Sequence, residues 1–116
     1  LFAGSEGFRR DFIFVEDIVH MNLHFYQTKT SGIFNAGTGK ARSFQDIATT
    51  LQQLAPAGQI EIIPFPDHLQ GKYQEFTEAD TTLLRKAGYE RPMTSLEDGV
   101  HKYYDLWKRT GGYRKD

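Results

Sequence analysis

Phe2-Ala3-Gly4-Ser5-Glu6-Gly7-Phe8-Arg9-Arg10-Asp11-Phe12-Ile13-Phe14-Val15 decides how this chain is read: a glycine-punctuated turn, two arginines, then a strongly β-prone run. Gly4, Ser5 and Gly7 predict a tight reversal, because glycine adopts positive φ without steric cost and serine hydrogen-bonds locally. Such a turn is expected to present bare backbone amides. Arg9 and Arg10 follow where the chain becomes extended, so their side chains point to opposite faces and only one can aim at the concave side of the turn. Amides plus one guanidinium fork suit a phosphate or diphosphate. On spacing alone the default is plainer, a solvent-exposed hairpin tip with a surface Arg-Asp pair. Everything downstream reads as scaffold that packs beneath this segment or closes over it.

A chain of 116 residues is one domain or a piece of one. With 39% hydrophobic residues it can build a core, so disorder is not the default. A formal net charge of -1 gives no electrostatic case for nucleic acid or a membrane surface, so any anion site is local. The absence of cysteine excludes disulfides and thiolate metal sites and accords with a reducing cytoplasm, the expected location. No apolar run approaches membrane-spanning length and no signal peptide is evident. Because Leu1 leads directly into the turn, the expectation is a fragment that begins in the middle of a fold.

Strands and helices alternate along the chain. Residues 11–15 predict a buried strand. Glu16-Asp17 suit a helix N-terminus, and Ile18, Met21 and Phe25, with Val19, Leu23 and Tyr26 beside them, give that helix a broad apolar face. After a polar loop at 28–32, Ile33 to Ala36 predicts a short strand and Gly37-Thr38-Gly39 a sharp turn. Ser43 with Asp46 is a capping-box variant opening a helix with Phe44, Ile47, Ala48, Leu51 and Leu54 at helical spacing. Ala55 to Gly58 stops it, and Gln59 to Pro64 predicts a strand. Prolines and Gly71 keep 65–74 irregular until an extended piece at Gln74 to Thr77. A helix over 79–87 ends with Gly88 at C′. Thr94 with Glu97 predicts a second capping box, and Leu96, Val100, Tyr103 and Trp107 a buried stripe on the last helix, before Gly111-Gly112 and a charged tail. The class is α/β, with few short strands, about four helices and no internal repeat.

Several lookalikes need weighing. Gly37-Thr38-Gly39-Lys40 resembles the end of a P-loop, but that motif needs glycine where Phe34 stands and Ser or Thr where Ala41 stands. It reads as a strand-to-helix turn with Lys40 solvated. His20 and His24 have the spacing of a metal pair without a third ligand, and read as surface or groove histidines. His68 and His101 carry no signal. Tyr104 and Lys108 have the Tyr-x-x-x-Lys spacing of short-chain dehydrogenase/reductases, where lysine lowers the tyrosine pKa for proton exchange. Here the pair lies in the last helix with no Gly-rich dinucleotide turn ahead of it, and reads as helix surface.

Four stretches taken together carry a resemblance. Leu1 to Ser5 leading to Arg10-Asp11-Phe12-Ile13-Phe14-Val15, then Gly32-Ile33-Phe34-Asn35-Ala36-Gly37-Thr38-Gly39, resembles the carboxy-terminal part of an extended short-chain dehydrogenase/reductase acting on a nucleotide sugar. Ile63-Pro64-Phe65-Pro66 through Gly71-Lys72-Tyr73-Gln74, and Phe76-Thr77-Glu78-Ala79-Asp80, narrow it to the ADP-L-glycero-D-manno-heptose 6-epimerase family, nearly end to end. The resemblance implies the NADP-dependent inversion of C6 of an ADP-heptose by transient oxidation and return of hydride to the opposite face, feeding the lipopolysaccharide inner core. It implies that residues 1–116 are the substrate-binding lobe, with the Rossmann core absent from the chain. Phe2, Ala3, Gly4, Ser5, Arg10 and Tyr73 are then expected to contact the ADP-sugar. Ala3 departs from the family, where an acidic residue is expected.

The same resemblance places the catalytic groups and the NADP site outside this chain, so no catalytic, cofactor-binding or metal residue is assigned here and the chain alone is expected to be inactive. Its expected partners are the ADP-sugar, the missing amino-terminal Rossmann domain, which should cover an exposed apolar face, and further copies in a homo-oligomer, with no nucleic acid or membrane. Three alternatives stay open: a related nucleotide-sugar epimerase or dehydratase lobe, a non-catalytic nucleotide-sugar binding module, and a metal-dependent enzyme built on His20 and His24.

Overall fold

A computed structural model describes residues 1–112, and the charged tail at 113–116 lies outside the described residues. Four helices, α1 (Val15–Thr28), α2 (Phe44–Leu54), α3 (Thr82–Lys86) and α4 (Leu96–Arg109), accompany a two-stranded antiparallel sheet of β1 (Arg9–Arg10) and β2 (Arg42–Ser43). Arg9 pairs with Ser43 and Arg10 with Arg42. On its other side, Arg9 donates its N–H to the Glu75 carbonyl at 2.8 Å and accepts from Thr77 N–H at 3.0 Å. The expected α/β class, with few short strands and four helices, is what forms.

The strands fall elsewhere than residue preference suggests. The expected strand over 11–15 is displaced to Arg9–Arg10, because Asp11 N–H bonds the Thr77 hydroxyl instead of a ladder carbonyl and α1 already starts at Val15. Residues 12–14 become a connector, with Phe12 edge-on to Phe44 at 5.3 Å and Ile13 packed on the core. No strand forms at 33–36, where Ile33 is 95% exposed, Phe34 stacks on Phe25 at 4.4 Å and the Asn35 amide donates to the Asp80 carbonyl. The strand expected over 59–64 shrinks to a single bridge, Ile63 to Phe2. A bridge from Phe76 to Arg9 marks the extended piece at 74–77.

Helix ends follow their caps. Ser43 Oγ accepts from Asp46 N–H at 3.0 Å while the Asp46 carboxylate accepts from Ser43 N–H at 3.1 Å, the reciprocal box that the sequence predicts for α2. The expected helix over 79–87 shortens to Thr82–Lys86, because the Asp80 carboxylate takes Thr82 N–H at 3.0 Å and Ala79 N–H is held elsewhere. Gly88 sits at φ 87 just beyond it, as expected of C′. The cap of α4 is Ser95, which accepts from Asp98 N–H at 3.1 Å, and not the expected Thr94–Glu97 box. Thr94 instead gives its N–H and hydroxyl, at 2.8 and 2.9 Å, to Asp17, a carboxylate only 2% exposed. A buried charge requires donors, and that demand outranks a cap that the neighbouring serine can supply.

Met21, Leu84 and Tyr89 form the core, with Ile13, Ile18, Phe25 and Met93 packed against it. The helical stripes are only partly covered. On α1, Val19, Leu23 and Tyr26 face out. On α4 the expected buried stripe is open, with Leu96 buried but Tyr103 and Trp107 61% and 51% exposed. With Phe12, Ile47, Leu51 and Val100, these two rings line an apolar cavity of about 630 Å³ along α2 and α4. The radius of gyration, 16.8 Å, exceeds the roughly 13 Å of a compact domain of this length. Arg42 ties α2 to α4, its Nε on Asp46 at 3.0 Å and its two terminal nitrogens on the Glu97 carboxylate.

Candidate functional site

The site is built outward from Asp11. Its Oδ1 accepts from the Thr38 N–H at 2.8 Å and from the Thr38 hydroxyl, and its Oδ2 from Gly39 N–H at 2.9 Å and Ala79 N–H at 3.0 Å. Partial burial alone would raise this carboxyl, but the Thr38 hydroxyl and the three amides outweigh it and hold the group below its ordinary 3.8. Gly37 must be glycine here, since a Cβ would lie 2.5 Å from the Ala79 Cβ and 2.7 Å from Asp11 Oδ2. The surface Arg-Asp pair of the plain reading is therefore not what forms. Asp11 turns inward as a hub, and its neighbour Arg10 turns the other way.

The turn itself is a Phe2–Ser5 reversal closed by Ser5 N–H on the Phe2 carbonyl at 3.2 Å, with Gly4 at φ 79 in the third position. The amides of Ala3, Gly4, Ser5 and Phe8 are not bare, which corrects the expectation from sequence at those four positions. Ala3 N–H goes to the Ile63 carbonyl, Gly4 N–H to the Glu6 carboxylate and Phe8 N–H to the Ser5 carbonyl. Ser5 Oγ donates back to the Phe2 carbonyl at 2.6 Å. These amides find acceptors in the turn's own carbonyls, in the Glu6 carboxylate and in the paired segment at Ile63. Positive charge at the site therefore rests on Arg10.

Arg10 and Tyr73 meet. The guanidinium carbon lies 5.0 Å from the centre of the Tyr73 ring, within cation–π reach. Arg10 Nη1 donates to Gln74 Oε1 at 2.9 Å and Nη2 to the Gln74 carbonyl at 2.6 Å, while its Nε is buried without a partner among the described residues. Of the two arginines, Arg9 is exposed and Arg10 half-buried, as strand alternation requires. Around Tyr73 the rings of Phe2, Phe8 and Phe65 lie 6.4, 5.7 and 5.8 Å away, Phe8 stacked and the other two edge-on. Leu1, Phe2, Ser5, Phe8, Phe44 and Tyr73 line a cavity of about 180 Å³. That is smaller than the roughly 300 Å³ at which small-molecule sites begin, so it takes one flat ring and not a whole sugar nucleotide. Ala3 and Gly4 are exposed at its rim.

Of the expected contact residues, the fold brings Phe2, Ser5, Arg10 and Tyr73 together, and leaves Ala3 and Gly4 beside them. Phe8, Phe44 and Gln74 escape sequence reasoning. Phe44 reads as an ordinary helix residue, Phe8 stands in the turn stretch with no role assigned, and Gln74 reads as part of the Lys72-Tyr73-Gln74 resemblance and the start of an extended piece, with no link to Arg10. The remaining candidates are structural. Thr38 and Gly39 give their amides to Asp11, so the P-loop lookalike has no free cradle, and Lys40 is exposed as expected. His24 bonds the Ala87 carbonyl at 3.1 Å and packs edge-on to Phe25 and Tyr89. Among the described residues no three His, Asp or Glu side chains gather within reach of one metal ion. Lys108 Nζ lies over the Tyr104 ring, 5.6 Å from its centre, and that ring stacks on Trp107. No described helix is long and apolar enough to cross a membrane.

No protein-family profile matches the chain. Solved structures do. An NAD-dependent NDP-hexosamine 5,6-dehydratase of tunicamycin biosynthesis, TunA, superposes with a TM-score of 0.75 at 25% identity, over 94% of this chain and 35% of that one. ADP-L-glycero-D-manno-heptose-6-epimerase of Helicobacter pylori superposes at 0.72 and 25% identity, over 90% of this chain and 31% of that one. RMD from Pseudomonas aeruginosa, solved with NADPH, shares the fold at 0.73 and 17% identity over 95% of this chain and 35% of that one. The chain spans about a third of the length of the solved structures it matches. It is thus similar, nearly end to end, to one segment of a nucleotide-sugar dehydratase and of a nucleotide-sugar epimerase.

Proposed function

We propose that this chain is the substrate-binding lobe of a nucleotide-sugar epimerase, and that its substrate is an ADP-heptose inverted at C6. The observation that carries the reading is the meeting of Arg10 and Tyr73, 63 positions apart in sequence, where the Tyr73 ring also lines an aromatic cavity at the Phe2–Ser5 turn. A flat base fits such a cavity by stacking, and a diphosphate beside it rewards a guanidinium fork. Phe2, Ser5 and Tyr73 hold the ring, Arg10 takes a phosphate oxygen, and Ala3 and Gly4 supply backbone at the rim. The reaction's NADP is assigned outside this chain, in keeping with a Gly-Thr-Gly turn whose Thr38 and Gly39 amides are taken by Asp11. The cofactor and the proton-transfer groups belong to a Rossmann portion that covers the apolar cavity of α2 and α4. The lobe alone is inactive, and the enzyme works in the cytoplasm as a homo-oligomer.

The dehydratase likeness, equal in identity, favours a second reading in which the same lobe serves dehydration of a hexosamine nucleotide. Saturation-transfer NMR with an ADP-heptose and with an ADP-hexosamine separates the two by sugar preference. Arg10→Ala is expected to weaken ADP binding about tenfold, the loss of one charged hydrogen bond at a half-exposed site. Unchanged binding in that variant, with its fold intact, refutes the assignment.

A further inference from the structure

Gln74 meets the Arg10 guanidinium with both of its oxygens. Its carbonyl is fixed, because Tyr73 before it is packed among Phe2, Phe8 and Phe65 and Glu75 after it accepts from Arg9 N–H at 2.8 Å. Its side chain is exposed and has no second partner among the described residues. Arg10 therefore meets one rigid acceptor, the carbonyl on Nη2 at 2.6 Å, and one movable acceptor, Oε1 on Nη1 at 2.9 Å.

We infer that Gln74 is the positioning residue for Arg10, and that its side-chain oxygen stands where an oxygen of a nucleotide diphosphate binds. This rests on the assignment of the lobe to a nucleotide. The carbonyl and the Tyr73 ring keep the guanidinium aimed before ligand arrives, which removes side-chain ordering from the cost of binding. The amide is an internal stand-in: it satisfies Nη1 in the free lobe and swings out when a phosphate oxygen replaces it. A phosphate oxygen carries charge and the amide oxygen does not, so the exchange is favourable.

The probes are ADP and adenosine, titrated by NMR into the wild-type chain and into Gln74→Ala and Gln74→Glu. Removing the stand-in leaves the rigid carbonyl in place, so Gln74→Ala is expected to bind ADP about two- to fivefold more tightly. Gln74→Glu gives Arg10 a permanent carboxylate partner and repels the diphosphate, so ADP binding falls at least tenfold. Adenosine, without phosphate, is expected to bind all three forms alike, which a merely structural role for Gln74 does not predict. Weaker or unchanged ADP binding in Gln74→Ala, unchanged binding in Gln74→Glu, or a parallel loss of adenosine overturns the inference. If Arg10→Ala loses ADP while the Gln74 variants are silent, the inference fails alone. If the wild type binds no ADP at millimolar concentration, it falls together with the assignment.

Discussion

Asp11→Asn is the perturbation that the structure quantifies best. Asp11 holds two segments far apart in sequence, the 37–39 turn and residue 79, through four hydrogen bonds. An asparagine turned to keep its oxygen on Thr38 directs its NH2 group at the N–H groups of Gly39 and Ala79, so two donors lose their acceptor. Each such loss costs about 1–3 kcal/mol when buried, and the partial exposure of this group brings the pair to about 2–4 kcal/mol. At about 4 °C per kcal/mol for a chain of this size, Tm falls by roughly 8–16 °C at pH 7. The pH dependence has a fixed sign. The folded pKa lies below the ordinary 3.8, so the stabilisation is complete above about pH 4 and is lost as pH falls through the folded value. Thermal unfolding followed by circular dichroism is expected to show the gap between wild type and variant closing in acid. A Tm change under about 2 °C at pH 7, or a gap that stays constant to pH 2.5, refutes the hub.

Gly37→Ala pushes a methyl against the Ala79 Cβ and the Asp11 carboxylate, and is expected to cost about 1–3 kcal/mol, read by urea unfolding; a neutral result contradicts the close approach. Tyr89 is buried with a hydroxyl that has no partner among the described residues, so Tyr89→Phe is expected to leave stability unchanged or to raise it by up to about 1 kcal/mol. A loss above about 1 kcal/mol in the same urea experiment shows instead a hidden partner. Trp107 and Tyr103 stand open beside an apolar cavity, so the chain is expected to self-associate with rising concentration, and Trp107→Ser to reduce this in sedimentation equilibrium. Equal association in both forms places the contact elsewhere.

What sequence can disclose here is set by the range of the interaction involved. The Ser43–Asp46 box and the Gly88 stop are legible because both partners lie within a few residues and their geometry is local. Alternation, also local, says that only one of Arg9 and Arg10 faces the site, and the family resemblance is what points to Arg10. The strands are not legible, since residues 11–15 and 33–36 have the apolar content of strands but lack backbone partners that only the tertiary fold supplies. Thr94 misleads for a related reason: its pattern is that of a cap, and Asp17, 77 positions away, claims it. The stripe on α4 is correctly read as apolar, but periodicity states that a face seeks cover and not that this chain provides it. The small cavity is the least visible feature, being assembled from residues 1, 2, 5, 8, 44 and 73.

The central claim, that Arg10 and Tyr73 close a nucleotide site at the Phe2–Ser5 turn, is tested most directly by residue-resolved NMR mapping of ADP on the wild-type chain. The account predicts shifts concentrated at Phe2 to Ser5, Phe8, the Arg10 Nε and Tyr73, saturating together with one dissociation constant. Shifts confined to α1, α3 or the 30–36 loop, or none at saturating ADP, contradict it.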